Sequence, residues 1–153
     1  MNKTKELIKA LTSLAHLDID AVHAYDQAIE KIDVDEVREK LIGFRADHER
    51  HVQALAPLIK DVGGEPPRFQ RDFKGFLIQG ITALRSVSGT EGALHAMKTN
   101  EELTNRTYDR ALQWPLSAAA KIIVQRNRDD ERRHLDYINQ AIQDQVWKHS
   151  RAA

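Results

Sequence analysis

The chain has 153 residues, 41% hydrophobic and 30% charged, with only 7 Gly and 4 Pro. That is one domain's worth of chain with room for a core, and its balance favours long amphipathic helices over sheets rich in turns. Lys plus Arg and Asp plus Glu number 23 each, so charge announces neither nucleic acid nor an acidic disordered tail. The absence of cysteine excludes disulfides, thiolate metal sites, cysteine-ligated iron–sulfur clusters and cysteine nucleophiles, so any metal must be held by oxygen and nitrogen.

The N-terminal residues, Met1 to Glu6, lead straight into an amphipathic pattern without an apolar signal core, and no apolar run is long enough to span a bilayer. The expectation is a soluble, cytoplasmic protein. Apolar residues at Leu7, Leu11, Leu14, Val22, Tyr25, Ile29 and Ile32 alternate spacings of three and four, which predicts a first helix over about 4–32. Asp33, Asp35 and Glu36 supply a short reversal. Val37, Leu41, Phe44, Leu55, Leu58 and Val62 then carry an antiparallel second helix over about 34–62, with a bend expected at Pro57. Gly63-Gly64-Glu65-Pro66-Pro67 is the strongest breaker in the chain.

Residues 68–87, with Phe69, Phe73, Phe76, Leu77, Ile81 and Leu84 interrupted by Gly75 and Gly80, read as a crossover segment. Its phenylalanine row either caps the fold or forms a homodimer contact. A third helix follows over about 88–113 through Leu94, Met97, Tyr108 and Leu112, and Trp114-Pro115 breaks it. The fourth, over about 115–148, carries Ala120, Val124, Ile138 and Ala141. The ending Lys148-His149-Ser150-Arg151-Ala152-Ala153 leaves no extra short helix expected after it. The fold class is therefore all-α: one antiparallel four-helix bundle with a long crossover between its second and third helices.

The two hairpins repeat each other at a constant 83-residue offset. Tyr25-Asp26-Gln27-Ala28-Ile29 matches Tyr108-Asp109-Arg110-Ala111-Leu112, and Arg45, Asp47, Arg50 and His51 match Arg128, Asp130, Arg133 and His134. Two separate stretches sharing one offset read as two helix pairs related by a pseudo-two-fold axis.

Where the apolar stripes are interrupted, the gaps hold ionisable residues. Asp18 lies between Leu14 and Val22; His48 and His51 lie between Phe44 and Leu55; Glu101 fills the gap between Met97 and Tyr108; Glu131 and His134 lie between Val124 and Ile138. Each group falls near the middle of its helix, and in an antiparallel bundle mid-helix positions meet at one height. Three carboxylates and three imidazoles buried together without a cation would cost several kcal/mol each unless paired or reprotonated. A divalent metal supplies the missing charge. By contrast His16, Asp20 and His23 fall on the opposite face of the first helix and are expected to be solvated, as are the charges from Arg126 to Arg133 outside the stripe.

At these residues the sequence resembles the ferritin-like superfamily of bacterioferritin- and rubrerythrin-like bundles, and within it a group of small bacterial four-helix proteins of unknown function. In that superfamily each helix pair contributes a carboxylate and then a Glu-x-x-His motif to a di-iron or related site. Glu131-Arg132-Arg133-His134 matches the motif, and Glu101 followed by Tyr108 is similar to the lone carboxylate and nearby tyrosine of bacterioferritin-like members. The first half departs from it. Where the resemblance calls for a bridging Glu, this chain has His48, and Asp18 is shorter by one methylene. The resemblance implies a site of Asp18, His48, His51, Glu101, Glu131 and His134 for one or two ions of Fe, Mn or Zn. It further implies oxygen or peroxide chemistry with Tyr25 or Tyr108 beside the metal.

Two readings compete: a metalloprotein with a degraded di-metal site, and a bundle that kept the fold and lost the metal, serving as a stress-associated interaction scaffold. A small-molecule binder ranks behind both, because no phosphate-binding loop or nucleophile constellation is present.

Overall fold

The computed structural model describes residues 2–68, 84 and 87–151, and among them the regular secondary structure is entirely α-helical. Four long helices, α1 (Asn2–Lys31), α2 (Asp35–Asp61), α3 (Gly89–Ala111) and α4 (Ala118–Gln143), are followed by a short α5 (Val146–Arg151). The first three agree with the periodicity to within a few residues, and the fourth agrees in its start. Of the expected crossover only residues 68, 84 and 87 are described, with Leu84 buried in the core, while Phe69, Phe73 and Phe76 lie outside the described residues. Among the described residues no helix is long and apolar enough to cross a membrane.

Helix ends follow local chemistry. Gly63, at φ +90°, sits just past α2 and donates to the Lys60 carbonyl at 2.9 Å, while Gly64 donates to that of Ile59 at 2.8 Å. This left-handed stop satisfies two orphan carbonyls of the last turn. A side chain at position 64 would start 2.7 Å from Ile8 Cγ2, so the bare glycine lets the turn close on α1. At the start of α4, Ser117 Oγ accepts from the Ala120 amide at 3.1 Å, a side-chain cap. Pro57 lies within α2, where it removes the bond its N–H would have made to the Gln53 carbonyl.

α1 packs along α2 and α3 along α4; α1 also packs on α3, and α2 meets α4 more sparsely. The α1–α2 pair is antiparallel, since Ile8 meets Gly64, Asp18 meets His48, and Asp26 meets Arg45. The turn between them is tied to the start of α3: Lys31 Nζ donates to the Val87 carbonyl at 3.0 Å, and Thr90 Oγ1 donates to Asp33 Oδ1 at 2.5 Å. The apolar core falls into two clusters. One is built around Leu41, Phe44, Leu94 and Ile138, the other around Leu11, Leu14, Leu55 and Val124. Leucine, isoleucine and aromatic burial of this kind is the main term holding the helices together.

The first helix corrects one expectation. Asp20 and His16 are 0% and 8% exposed, and His23 is half-buried, as Leu17 and Ile19 are buried beside them. Around residues 14–22 α1 is enclosed on every side, not solvated on one. The end of the chain corrects another: the fourth helix stops at Gln143 rather than near 148. Gln145 takes a positive φ of 49°, and a short helix does follow, with Trp147 in the core cluster.

Candidate metal centre

All six side chains singled out by the interrupted stripes are brought together. Asp18, His48, His51, Glu101, Glu131 and His134 are each at most 1% exposed and converge between the two apolar clusters. His48 stands in the middle. Its Nδ1 is 2.7 Å from Asp18 Oδ1, and its Nε2 is 3.1 Å from Glu101 Oε1, so one ring joins the lone carboxylates of both halves. His51 Nδ1 lies 3.1 Å from the same Asp18 oxygen.

The donors form two overlapping tetrads. Asp18, His48, His51 and Glu131 make one; His48, Glu101, Glu131 and His134 make the other. Within each, one donor atom per residue lies within 4.8 Å of all the rest, a spread that one cation can gather. Helical geometry dictates the pairing, because the spacing of three that links His48 to His51 and Glu131 to His134 puts both members on one face.

Each half supports the other through contacts that repeat at the 83-residue offset. Tyr25 Oη donates to Glu101 Oε1, and Tyr108 Oη to Asp18 Oδ2, both at 2.5 Å. The two phenols are fully buried, and burial together with the neighbouring carboxylates pushes their pKa values well above the ordinary tyrosine range, so they stand as neutral donors. On the outer side His51 Nε2 is 2.9 Å from Asp130 Oδ2, and His134 Nε2 is 2.8 Å from Asp47 Oδ2.

Asp47 and Asp130 lie off the apolar stripes, so periodicity does not mark them; only their match at the 83-residue offset does. Their i−1 position beside His48 and Glu131 places them at the rim, where the carboxylates reach the far nitrogens of the opposite half's histidines. The second half is more heavily braced: Thr104 Oγ1 lies 2.9 Å from Glu101 Oε2 and 3.1 Å from Glu131 Oε2. Asn105 Nδ2 donates to the Glu101 and Glu131 carbonyls at 2.7 and 3.0 Å, pinning α3 to α4. Ala21 and Val22 hold the equivalent positions in the first half and can do neither.

The electrostatics follow from burial opposed by pairing. Burial alone would lower the histidine pKa values. The Glu131 charge and the bonds to Asp18 and Glu101 outweigh it at His48 and push it up to about 10. At His134 the Glu101 charge and the bond to Asp47 do the same, again to about 10. His51 is raised well above its ordinary value by the Asp18 charge and the bond to Asp130. Burial would raise the carboxyls, but His51 and His48 hold Asp18 below its usual value, and His134 and His48 hold Glu101 well below.

Without a cation, three imidazoliums thus face three carboxyl groups. The match is incomplete. Among the described residues Glu131 Oε1 and His134 Nδ1 are buried without a hydrogen bond, although Glu131 Oε1 is 3.3 Å from His51 Nδ1 and 3.4 Å from His48 Nδ1, and His134 Nδ1 is 3.4 Å from Glu101 Oε1. A buried polar atom with no partner at all costs roughly 1–3 kcal/mol, and these long ion-pair contacts offset that cost only in part. Both orphans point into the shared tetrad, and both are donor types a divalent cation takes. The residues present therefore fit a metal ion, held by carboxylate oxygen and imidazole nitrogen with Asp47 and Asp130 orienting the rings.

An all-α protein with a buried carboxylate and histidine cluster is the class that fold and geometry define. Residues 6–114, more than two-thirds of the chain, match the family described as Domain of unknown function (DUF2383). The chain belongs to that family. No curated protein matches it. The matched stretch contains Asp18, His48, His51 and Glu101, whereas Glu131 and His134 lie beyond it.

Proposed function

We propose that this protein is a single-domain ferritin-like four-helix bundle that binds one or two divalent cations, Fe, Mn or Zn, through Asp18, His48, His51, Glu101, Glu131 and His134. The observation that carries the reading is that Glu131 Oε1 and His134 Nδ1 are buried with no hydrogen bond among the described residues, left only with ion-pair contacts of 3.3–3.6 Å at the centre of the cluster. An iron ion there would supply reduction of oxygen or peroxide, the chemistry that the superfamily resemblance suggests. Tyr25 and Tyr108 would then hold the two lone carboxylates in place, and Asp47 and Asp130 would fix the ligand histidines with Nδ1 facing inward.

Magnitudes favour binding over its cost. An imidazolium that becomes a ligand must release one ring proton, and with pKa values near 10 for His48 and His134 this costs about 4 kcal/mol per ring at pH 7. Structural zinc sites in peptides, which include thiolate ligands absent here, gain roughly 10–16 kcal/mol at pH 7. Two released protons weaken such a site without abolishing it.

Elemental analysis of the purified protein, reloaded with Fe²⁺, Mn²⁺ or Zn²⁺, tests the proposal. At least one ion per chain is expected, lost in His51→Ala and His134→Ala. A chain that takes up none, or variants that bind as well as the parent, would overturn it. The second reading, a scaffold that has lost the metal, is favoured by one specific observation: the equal number of imidazole and carboxyl groups, which allows the cluster to be neutral by itself. It requires Glu131→Gln to leave function intact.

A further inference from the structure

Resting on the metal-binding reading, we infer that Arg50 and Arg133 form a guanidinium gate over the α2–α4 seam, through which a divalent cation reaches the buried donors by way of Asp47 and Asp130. The six donors are sealed at 0–1% exposure, so a cation must enter by displacing something. On the α1–α3 side the way is blocked by Tyr25 and Tyr108, both 0% exposed and bonded to Glu101 and Asp18, and by the all-round burial of α1. The opposite side is different. α2 and α4 pack more sparsely than α1 with α2 or α3, or α3 with α4, and the side chains of Asp47 and Asp130 are 13% and 20% exposed.

Each of these carboxylates faces both ways. Asp130 Oδ2 is 2.9 Å from His51 Nε2 inside and 3.2 Å from Arg50 Nη1 outside; Asp47 Oδ2 is 2.8 Å from His134 Nε2 inside and 2.7 Å from Arg133 Nη2 outside. Arg50 also bonds Asp47, and Arg133 reaches Asp130 Oδ1 at 3.1 Å. The four charges thus close a ring over the seam, with every guanidinium shared by carboxylates from both helices. Arg50 and Arg133 are themselves 58% and 55% exposed, so each guanidinium can swing out into water, where an isolated exposed pair is worth only about 0–1 kcal/mol. When both swing out, the carboxylates are left as an oxygen pair at the mouth, with the first inner donors directly behind them. The arginines meanwhile place positive charge where a cation must approach. Their effect therefore falls on the rate of loading more than on the affinity.

The experiment is stopped-flow loading of the metal-free full chain with Co²⁺, read by visible absorbance, comparing the parent with Arg50→Ala/Arg133→Ala. Arg45→Ala/Arg128→Ala serves as control, since those arginines are repeat-related partners that pair with Asp26 and Asp109 away from the seam. The gate variant should load about tenfold faster with unchanged stoichiometry, and the control at the parental rate. Should the double variant fold poorly, Arg50→Ala and Arg133→Ala singly are each expected to give part of the acceleration. A parent that binds Co²⁺ while the gate variants load no faster overturns the gate alone, as does equal acceleration in the control. A parent that binds no Co²⁺ at equilibrium overturns the metal reading and the gate with it.

Discussion

Asp47 Oδ2 stands 2.8 Å from Nε2 of His134, so a carboxylate on α2 fixes the ring of a candidate ligand on α4. The repeat-related bond from Asp130 to His51 returns the relationship at 2.9 Å. A histidine whose outer nitrogen is held by a carboxylate has its inner nitrogen aimed and made more basic. Neither half of the chain can complete its site alone, because each half's histidine is oriented by the other half's aspartate.

Asp47→Asn and Asp130→Asn keep the shape and remove this charge. Each should weaken Zn²⁺ affinity about 10–100-fold, the usual effect of losing such a partner, with stoichiometry unchanged in calorimetric titration. Equal affinity in both variants would mean that the histidines do not serve as ligands.

Glu131→Gln separates the two functional readings. The carboxylate is shared by both tetrads, so its loss should reduce binding of every ion, measured by equilibrium dialysis. In the metal-free protein it leaves three imidazoliums facing two carboxylates. Breaking a buried pair in this way costs about 3–5 kcal/mol, visible as a lower urea midpoint. A variant with the parental midpoint and parental binding would place the charge of Glu131 outside both roles.

The pH dependence has a defined sign. His48 and His134 are raised from 6.5 to about 10 by their carboxylate partners. Their contribution to stability is full below pH 6.5 and is lost as pH rises toward 10. Asp18 and Glu101 are depressed from 3.8 and 4.5, so theirs is full above those values and is lost as pH falls through the folded-state pKa. The metal-free protein should therefore be most stable between about pH 4.5 and 6.5 and weaken steadily above. Metal should reverse the alkaline slope, since ligation needs the deprotonated rings and strengthens as protons become scarcer. Thermal melts at pH 6 and 9, with and without Zn²⁺, check both slopes; parallel profiles would exclude the histidines as ligands.

Much of this was readable in the sequence because buried polar residues had to interrupt an apolar period: Asp18, Glu101 and the two spacings of three appear as gaps in otherwise regular stripes. The rim was not readable in that way. Asp47 and Asp130 lie off the stripe, and only the fold reveals that an off-stripe carboxylate on one helix meets an on-stripe histidine on another. The 83-residue repeat was their one signal, since it preserved Asp-x-x-Arg-His in both halves. The burial of Asp20 and His16 was missed because periodicity reports one face of a helix, although Leu17 and Ile19 had marked the other face as apolar. The turn at Gln145 left no trace, as no glycine or proline announces it.

His48→Glu addresses the residue that most distinguishes the two halves. Its repeat partner is Glu131, and a carboxylate can bridge two ions where a neutral imidazole offers one lone pair. In the parent the ring joins Asp18 and Glu101 and carries positive charge into the centre. The substitution replaces that charge with a negative one, so four carboxyl groups face two imidazoliums. Without metal the variant should be destabilised by several kcal/mol, since like charges buried together cannot all ionise without loss. With metal the deficit becomes an advantage, because a second cation finds both the missing charge and a second bridge. The expected outcome is one more ion per chain than in the parent, and a larger metal-induced rise in melting temperature, about 2.7 kcal/mol of stabilisation at a hundredfold excess over Kd. Unchanged stoichiometry with a stable metal-free variant would mean that His48 does not limit the number of ions and that its charge is not what balances the cluster.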